Sequence, residues 1–322
     1  MKLKTFFDFC SGIGGGRLGL EAAGLIPVGY ADTSHLSVKT YKLLFNTEDE
    51  KNFGNIRKID SAKLPDFDVM IAGFPCQSFS VIGRQKGFHD LRGQLIFDLA
   101  EILKIKKPKC FIFENVRGLV SHNKGETLKT ILNLLSNSGY DVVYNVLNSI
   151  DYGVPQMRQR VYFIGVRNDL GIEINNYQWP IKKEKPSIYN YLLMLRPSNE
   201  SETDFFPYYL QNEKNRGKFT FKELLNIEGA VLDTRMPDLR IYNEKVPTLR
   251  SHRDGLFYVQ NGRIYTLSGL EALLLQGFPK EYVNKLHGLV SERHLLMQAG
   301  NAMTVPVITE LGKNLIKLLN RK

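Results

Sequence analysis

The chain reads as an α/β protein built on a parallel sheet, with a second, smaller domain behind it. Three features of the sequence lead there. In the first half, short β-rich runs alternate with segments of helical periodicity. A glycine-dense turn directly follows the first of those runs. After about residue 170 the alternation stops, and at 322 residues the chain is long enough for a further domain beyond the ~150 residues of an ordinary one.

Lys4-Thr5-Phe6-Phe7-Asp8-Phe9 is the first predicted strand, followed by a loop of small residues and a helix over Arg17–Ala23. Asp68–Ala72 is the next clear strand. Leu95, Ile96, Leu99, Ile102 and Leu103 recur at helical spacing, and Lys104, Lys106 and Lys107 suit the negative end of that helix before Pro108. Cys110–Phe113 is a strand. Leu128, Ile131, Leu132 and Leu135 mark a helix that Gly139 can stop, and Arg160–Val166 is a further strand. Ile181–Asn190 and Pro197–Phe205 read as linker and loop. Ser268-Gly269-Leu270-Glu271 has the form of a capping box, opening a helix that Gly277 and Pro279 close. Ile308, Leu311, Leu315 and Leu318 make an amphipathic final helix, which needs the first domain to bury its face.

Composition narrows the function. With 43% hydrophobic and 24% charged residues, the chain is neither disordered nor of membrane type. No apolar run approaches the ~18 residues of a membrane span, and Asp8 interrupts the only stretch resembling a signal peptide. A net charge of +10 favours a polyanionic partner. Cys10, Cys76 and Cys110 are odd in number and far apart, which gives no disulfide framework and no zinc pattern. A reducing, intracellular setting follows as the expectation, with no metal.

Four segments can carry chemistry. Phe9–Gly16 is a glycine turn between a strand and a helix, where backbone can approach a ligand and helix N–H groups point at it. Gly14–Gly19 fits G-x-G-x-x-G, and Asp32 lies where an acid would hold a ribose, so nicotinamide nucleotides and S-adenosylmethionine both remain open. Cys76 falls just past a strand, flanked by Pro75 and followed by polar and glycine-rich sequence. That setting suits a nucleophile better than a core thiol. Glu114 ends the strand Cys110–Phe113. Arg158 and Arg160 alternate along an extended segment and so share a face that could fork onto oxygen atoms.

Taken in order, these segments resemble the DNA (cytosine-5)-methyltransferases, particularly the compact bacterial modification enzymes, over almost the whole chain. Asp8–Gly15 is similar to the family's cofactor loop and Gly73–Ser80 to its Pro-Cys motif. Glu114-Asn115-Val116 matches Glu-Asn-Val, and Gln156–Arg160 matches Gln-x-Arg-x-Arg. Gln298–Ala302 is similar to its Gly-Asn motif, and Leu273–Pro279 to its bracing helix. The resemblance implies a Rossmann-like S-adenosylmethionine-dependent sheet over residues 1–187, completed by 298–322. It implies a target-recognition domain over 188–265 and a bracing segment over 266–297.

The implied reaction moves a methyl group to C5 of a cytosine flipped out of duplex DNA. Cys76 would add to C6, Glu114 would bind N3 and the exocyclic amine, and Arg158 and Arg160 would act near O2. Cofactor contacts would come from Phe9, Ser11, Gly12, Ile13, Gly14, Asp32, Thr33, Asn55, Ile56, Gly73, Pro75, Asn301 and Ala302. DNA contacts would come from Arg84, Lys86, Arg92 and Thr248. Asp32, Thr33 and Asn55 depart from the family's usual residues, which bears on cofactor affinity, and Leu274 stands where an arginine is frequent. Between Arg235 and Arg263 lie six basic and three acidic residues, suited to phosphates or guanine edges. The implied protein is a cytoplasmic bacterial monomer on nucleoid DNA, with a cognate restriction endonuclease as a further partner. A nicotinamide dehydrogenase would use Gly14–Gly19 and Asp32 but leaves Cys76, Arg158 and Arg160 without a role.

Overall fold

The computed structural model describes residues 2–48, 50–74, 95–198, 205–251 and 254–320. Its contacts divide the chain into two units. One is Met1–Asn148 with Gln159–Lys182 and Ala302–Lys322, and the other is Ser149–Arg158 with Lys183–Asn301.

The elements along the first half are β1 (Thr5–Phe9), α1 (Gly15–Ala22), β2 (Ile26–Ala31), α2 (His35–Phe45), β3 (Val69–Gly73) and α3 (Leu95–Lys106). They continue with β4 (Cys110–Val116), α4 (Glu126–Ser136), β5 (Tyr140–Asn148), β6 (Gln156–Met157) and β7 (Gln159–Arg167). The first unit's sheet has the order β2-β1-β3-β4-β7-β5. Its first four strands are parallel, as expected, and bury near-continuous apolar runs such as Val69–Ala72.

The sheet is nevertheless mixed. The strand predicted at Arg160–Val166 runs antiparallel to both of its neighbours, β4 and β5. Its partner β5 carries Asp141, Asn145 and Asn148 and is only partly buried, so no apolar period announces it. The short connection between β5 and β7 cannot make the crossover of a dozen or more residues that a parallel pair requires.

Phenylalanines from β1 and β4, with Met70 and Phe163, form the core on one side of this sheet. On α1 the final helix, Val305–Leu319, packs as its amphipathic pattern requires. Gly19 makes that approach possible, because a Cβ there would lie 2.5 Å from Cβ of Ile308.

The second unit has its own antiparallel sheet of β8 (Ala230–Asp233), β9 (Arg240–Asn243), β11 (Leu256–Gln260) and β12 (Arg263–Thr266), in the order β12-β11-β8-β9. A two-residue strand, β10 (Val246–Pro247), pairs with β6 in parallel. Phe206, Leu224, Leu232, Phe257 and Val259 belong to its separate core. The predicted capping box closes at Ser268 and opens the helix Gly269–Leu275. Its acid, Glu271, is buried and also accepts from Tyr258 Oη at 2.6 Å and from the Leu193 N–H at 2.7 Å. One carboxylate thus ties a helix cap to β11 and to the chain at Leu193.

Candidate active site

β1 leaves the sheet through Cys10 (φ +51°), Gly12 (φ +55°) and Gly14 (φ +87°), a left-handed sequence that folds the turn back under α1. At Gly12 a Cβ would meet nothing within 4 Å, so the space before it is open. Gly14 is different, since a Cβ there would run into the Phe45 ring at 2.4 Å. The fingerprint glycines therefore answer mostly to packing, and Gly12 is the one that leaves room for a ligand.

Asp32, just past β2, is oriented by backbone. One carboxylate oxygen accepts from the Gly12 N–H at 2.8 Å and the other from the Ser34 N–H at 2.7 Å. Burial raises its pKa, against the pull of the Ser34, Gly12 and Thr33 amides. Asn52 splints it from behind. Its amide oxygen accepts from the Asp32 N–H at 3.1 Å and its nitrogen donates to the Asp32 carbonyl at 3.0 Å. No spacing in the sequence marks Asn52 for this task.

Among the other expected cofactor residues, Phe9, Ile13 and Ile56 are buried, and Phe9 and Ile56 belong to the ring-rich core. Ser11 is buried, and Thr33 is exposed. Asn55 spends its side-chain oxygen on the Arg57 N–H at 3.1 Å, capping a short 3-10 turn. Ala302 is buried in the first unit, next to Met303, whose carbonyl oxygen lies 2.5 Å from where a Cβ on Gly15 would be. Asn301 ends the helix Glu292–Asn301 of the second unit.

Asp8 begins the segment similar to the family's cofactor loop. It is wholly buried in β1, and among the described residues neither carboxylate oxygen makes a hydrogen bond of full geometry. Burial pushes its pKa up to about 8, against the charge and the backbone N–H of Arg17. Burial also pushes the Cys10 thiol up, with Asp32 and Asp8 adding to the effect.

The end of β3 lies beside the end of β4, with Gly73 in register with Glu114. Glu114 is 8% exposed and forms an ion pair with Arg160 on β7, Oε1 to Nε, at 3.1 Å. Asn115 donates to the Phe74 carbonyl at 2.8 Å, fixing the chain as it leaves β3. Pro75, Cys76, Arg84, Lys86 and Arg92 lie outside the described residues. Arg158 takes other partners than Arg160. It is 2% exposed and donates to the carbonyls of Leu249 at 3.2 Å and Gly300 at 3.1 Å, within the second unit. Thr248 donates its hydroxyl to the Met157 carbonyl at 2.6 Å. Among the described residues no group of His, Cys, Asp and Glu side chains could hold a metal ion, and no helix is long and apolar enough to cross a membrane.

Residues 4–317 match the C-5 cytosine-specific DNA methylase family. The type II methyltransferase M.HhaI of Haemophilus parahaemolyticus is 33% identical over 98% of this chain and 95% of its own. M.NgoBI of Neisseria gonorrhoeae is 35% identical, covering 95% and 91% of the two chains. M.HaeII of Haemophilus aegyptius is 36% identical, covering 99% and 95%. Solved structures share the fold. A candidate DNA modification methyltransferase encoded within an Escherichia coli prophage matches with a TM-score of 0.72 at 22% identity, over 99% of this chain and 100% of its own. The Dnmt2 methyltransferase of Schizosaccharomyces pombe matches with a TM-score of 0.62 at 18% identity, over 98% of each chain. A strand-borne Glu-Asn-Val, an open glycine turn with its oriented acid, and similarity along nearly the full length lead to one conclusion: the chain belongs to the C-5 cytosine-specific DNA methylase family and is a cytosine-C5 DNA methyltransferase.

Proposed function

We propose that this enzyme methylates C5 of a cytosine turned out of a specific duplex DNA sequence, with Cys76 as covalent nucleophile and S-adenosylmethionine as cosubstrate. The observation that carries the reading is the edge of one sheet. There the open turn at Gly12 and the carboxylate of Asp32 follow the ends of β1 and β2, and Glu114, near the end of β4, pairs with Arg160 on β7. Cys76 follows three residues after the end of β3, where open α/β sheets bind their ligands.

The cofactor fits this edge. Gly12 leaves open space, and Asp32 keeps free lone pairs on both oxygens after accepting one amide each. Gly12, Asp32, Gly73 and Ala302, all of the first unit, would hold it. When bound, S-adenosylmethionine supplies the methyl group that C5 accepts.

C5 of cytosine is too weak a nucleophile to react unaided, so the chain's own groups must activate it. The thiolate of Cys76 adds to C6 while Glu114, entering the step as the carboxylic acid, gives its proton to N3 and accepts from the exocyclic amine with its other oxygen. The ring then carries an enamine at C5. Arg160, held against Glu114, offsets charge near O2, while Arg158 serves the backbone of the second unit instead. After C5 is methylated its proton passes to a water molecule, the C5–C6 double bond re-forms as the thiolate is expelled, and N3 returns its proton to Glu114. A base stacked in a duplex cannot reach Cys76, which is why it must be turned out. Arg84, Lys86 and Arg92 serve the DNA backbone, and unit two, with Thr248 and its basic loops, reads the target. The enzyme acts as a monomer and has a cognate restriction endonuclease as a further partner.

DNA carrying 5-fluorocytosine tests the reading, because fluorine blocks loss of the C5 proton. The wild-type enzyme with S-adenosylmethionine should form a denaturant-resistant adduct. Cys76→Ser should form none while still binding DNA, and Glu114→Gln should form it at least tenfold more slowly. An adduct from Cys76→Ser overturns the nucleophile assignment.

A further inference from the structure

A loop that reads bases must keep a fixed register to the groups that react. In the second unit, side chains from elsewhere bond to the backbone of Thr248 and Leu249 and to that of Gly255. The Thr248 carbonyl accepts from Arg235 at 2.9 Å, while its hydroxyl donates to Met157 in β6. The Leu249 N–H donates to the side chain of Gln156 at 3.2 Å, and its carbonyl accepts from Arg158. The same Arg158 nitrogen reaches the Gly300 carbonyl. Gly300 has to be glycine, because a Cβ there would sit 2.3 Å from the Ser251 nitrogen. At the far end, the Gly255 carbonyl accepts from the N–H of Thr234 at 2.9 Å and from its hydroxyl at 3.1 Å.

Three consecutive residues at the end of β8, Asp233, Thr234 and Arg235, therefore hold both ends of this loop. Asp233 fixes Arg235 in a bidentate fork, Nε to Oδ1 at 2.7 Å and Nη2 to Oδ2 at 2.8 Å, with side chains only 5% and 7% exposed. Burial works against charge on Asp233, but the hydrogen bonds and charge of Arg235 outweigh it and hold the carboxyl below its usual range. A buried ion pair adds little to stability over an apolar pair of the same volume. What an apolar pair could not do is aim a further donor at the Thr248 carbonyl.

We infer that Asp233 and Arg235 form a positioning pair, which sets the register of the Thr248–Ser251 segment against Arg158 and Gly300, and on which sequence discrimination depends. Neither residue needs to touch DNA for this. The inference rests on the proposed reading that the second unit recognises the target. Lysine at position 235 would keep the charge but lose the fork, so it could satisfy Asp233 or Thr248 and not both in this geometry.

The test uses the full chain, S-adenosylmethionine and unmethylated genomic DNA, with bisulfite sequencing over a time course. The readout is the rate at the preferred context divided by the rate at contexts differing by one base. Arg235→Lys should lower that ratio about tenfold, the scale of one charge-assisted hydrogen bond. Thr248→Val, which cuts the link to Met157, should do the same, and the double variant should be no worse than either. S-adenosylmethionine affinity should stay unchanged. An unchanged ratio in both single variants, or an equal fall in rate at every context, overturns the inference. A wild-type enzyme that leaves the DNA unmethylated defeats the underlying reading instead.

Discussion

Asp8 and Asp32 are the same residue type at the same sheet edge, and their surroundings give them opposite characters. Asp32 has a well-formed amide bond to each oxygen, whereas Asp8 is wholly buried and only the Arg17 N–H and charge favour its ionised form. Because the folded pKa of Asp8 rises to about 8 from an ordinary 3.8, the native state binds the extra proton across that window. Its contribution to stability is complete below the unfolded pKa and is lost as pH rises through about 8. Unfolding by urea from pH 5 to 9 should show the wild type losing stability relative to Asp8→Asn. The slope should be at most about 1.4 kcal/mol per pH unit for one proton. A constant offset between the two proteins across that range would contradict the buried acid.

At the scale of elements, the contact between α1 and the final helix depends on Gly19. Alanine is normally the better helix residue by up to about 1 kcal/mol. Here its Cβ would overlap Cβ and Cγ2 of Ile308, at 2.5 and 2.6 Å. Overpacking a close contact costs roughly 1–3 kcal/mol, so the clash wins. Gly19→Ala should lower stability by about 1–2 kcal/mol in denaturant titration. Adding Ile308→Ala should cost less than the sum of the two changes, as expected for residues in direct contact. Full additivity would mean that the helices do not meet there.

The whole molecule carries a net charge of +10 and has two units with separate cores. Arg240, Arg250 and Arg263 are exposed on the second unit, where they are available to phosphates or base edges. Exchanging residues 188–265 for the same segment of a relative should therefore change the methylated sequence while the cytosine-C5 chemistry persists. Bisulfite sequencing of host DNA after expression reads both. Retention of the original sequence would separate recognition from this segment. The exchange should succeed best when the incoming segment keeps Thr248 and Leu249, since both bond to the Gln156–Arg158 stretch outside it.

The sequence by itself determined the elements and motifs whose physics is local. The helices over residues 95–106 and 305–319 follow from apolar spacing, and the Ser268 cap from four residues. Family membership follows from short motifs in order, because the chemistry needs those residue types whatever the surrounding fold. Only the tertiary structure decided what depends on groups far apart in the chain. The direction of β7 was set by its short link to β5, which no hydropathy period records. Asn52 behind Asp32, Asn115 on Phe74, and Arg235 on Thr248 are single polar side chains bonded to distant backbone. Such bonds arise where buried N–H and C=O groups need partners, and that need exists only once the chain has folded around them.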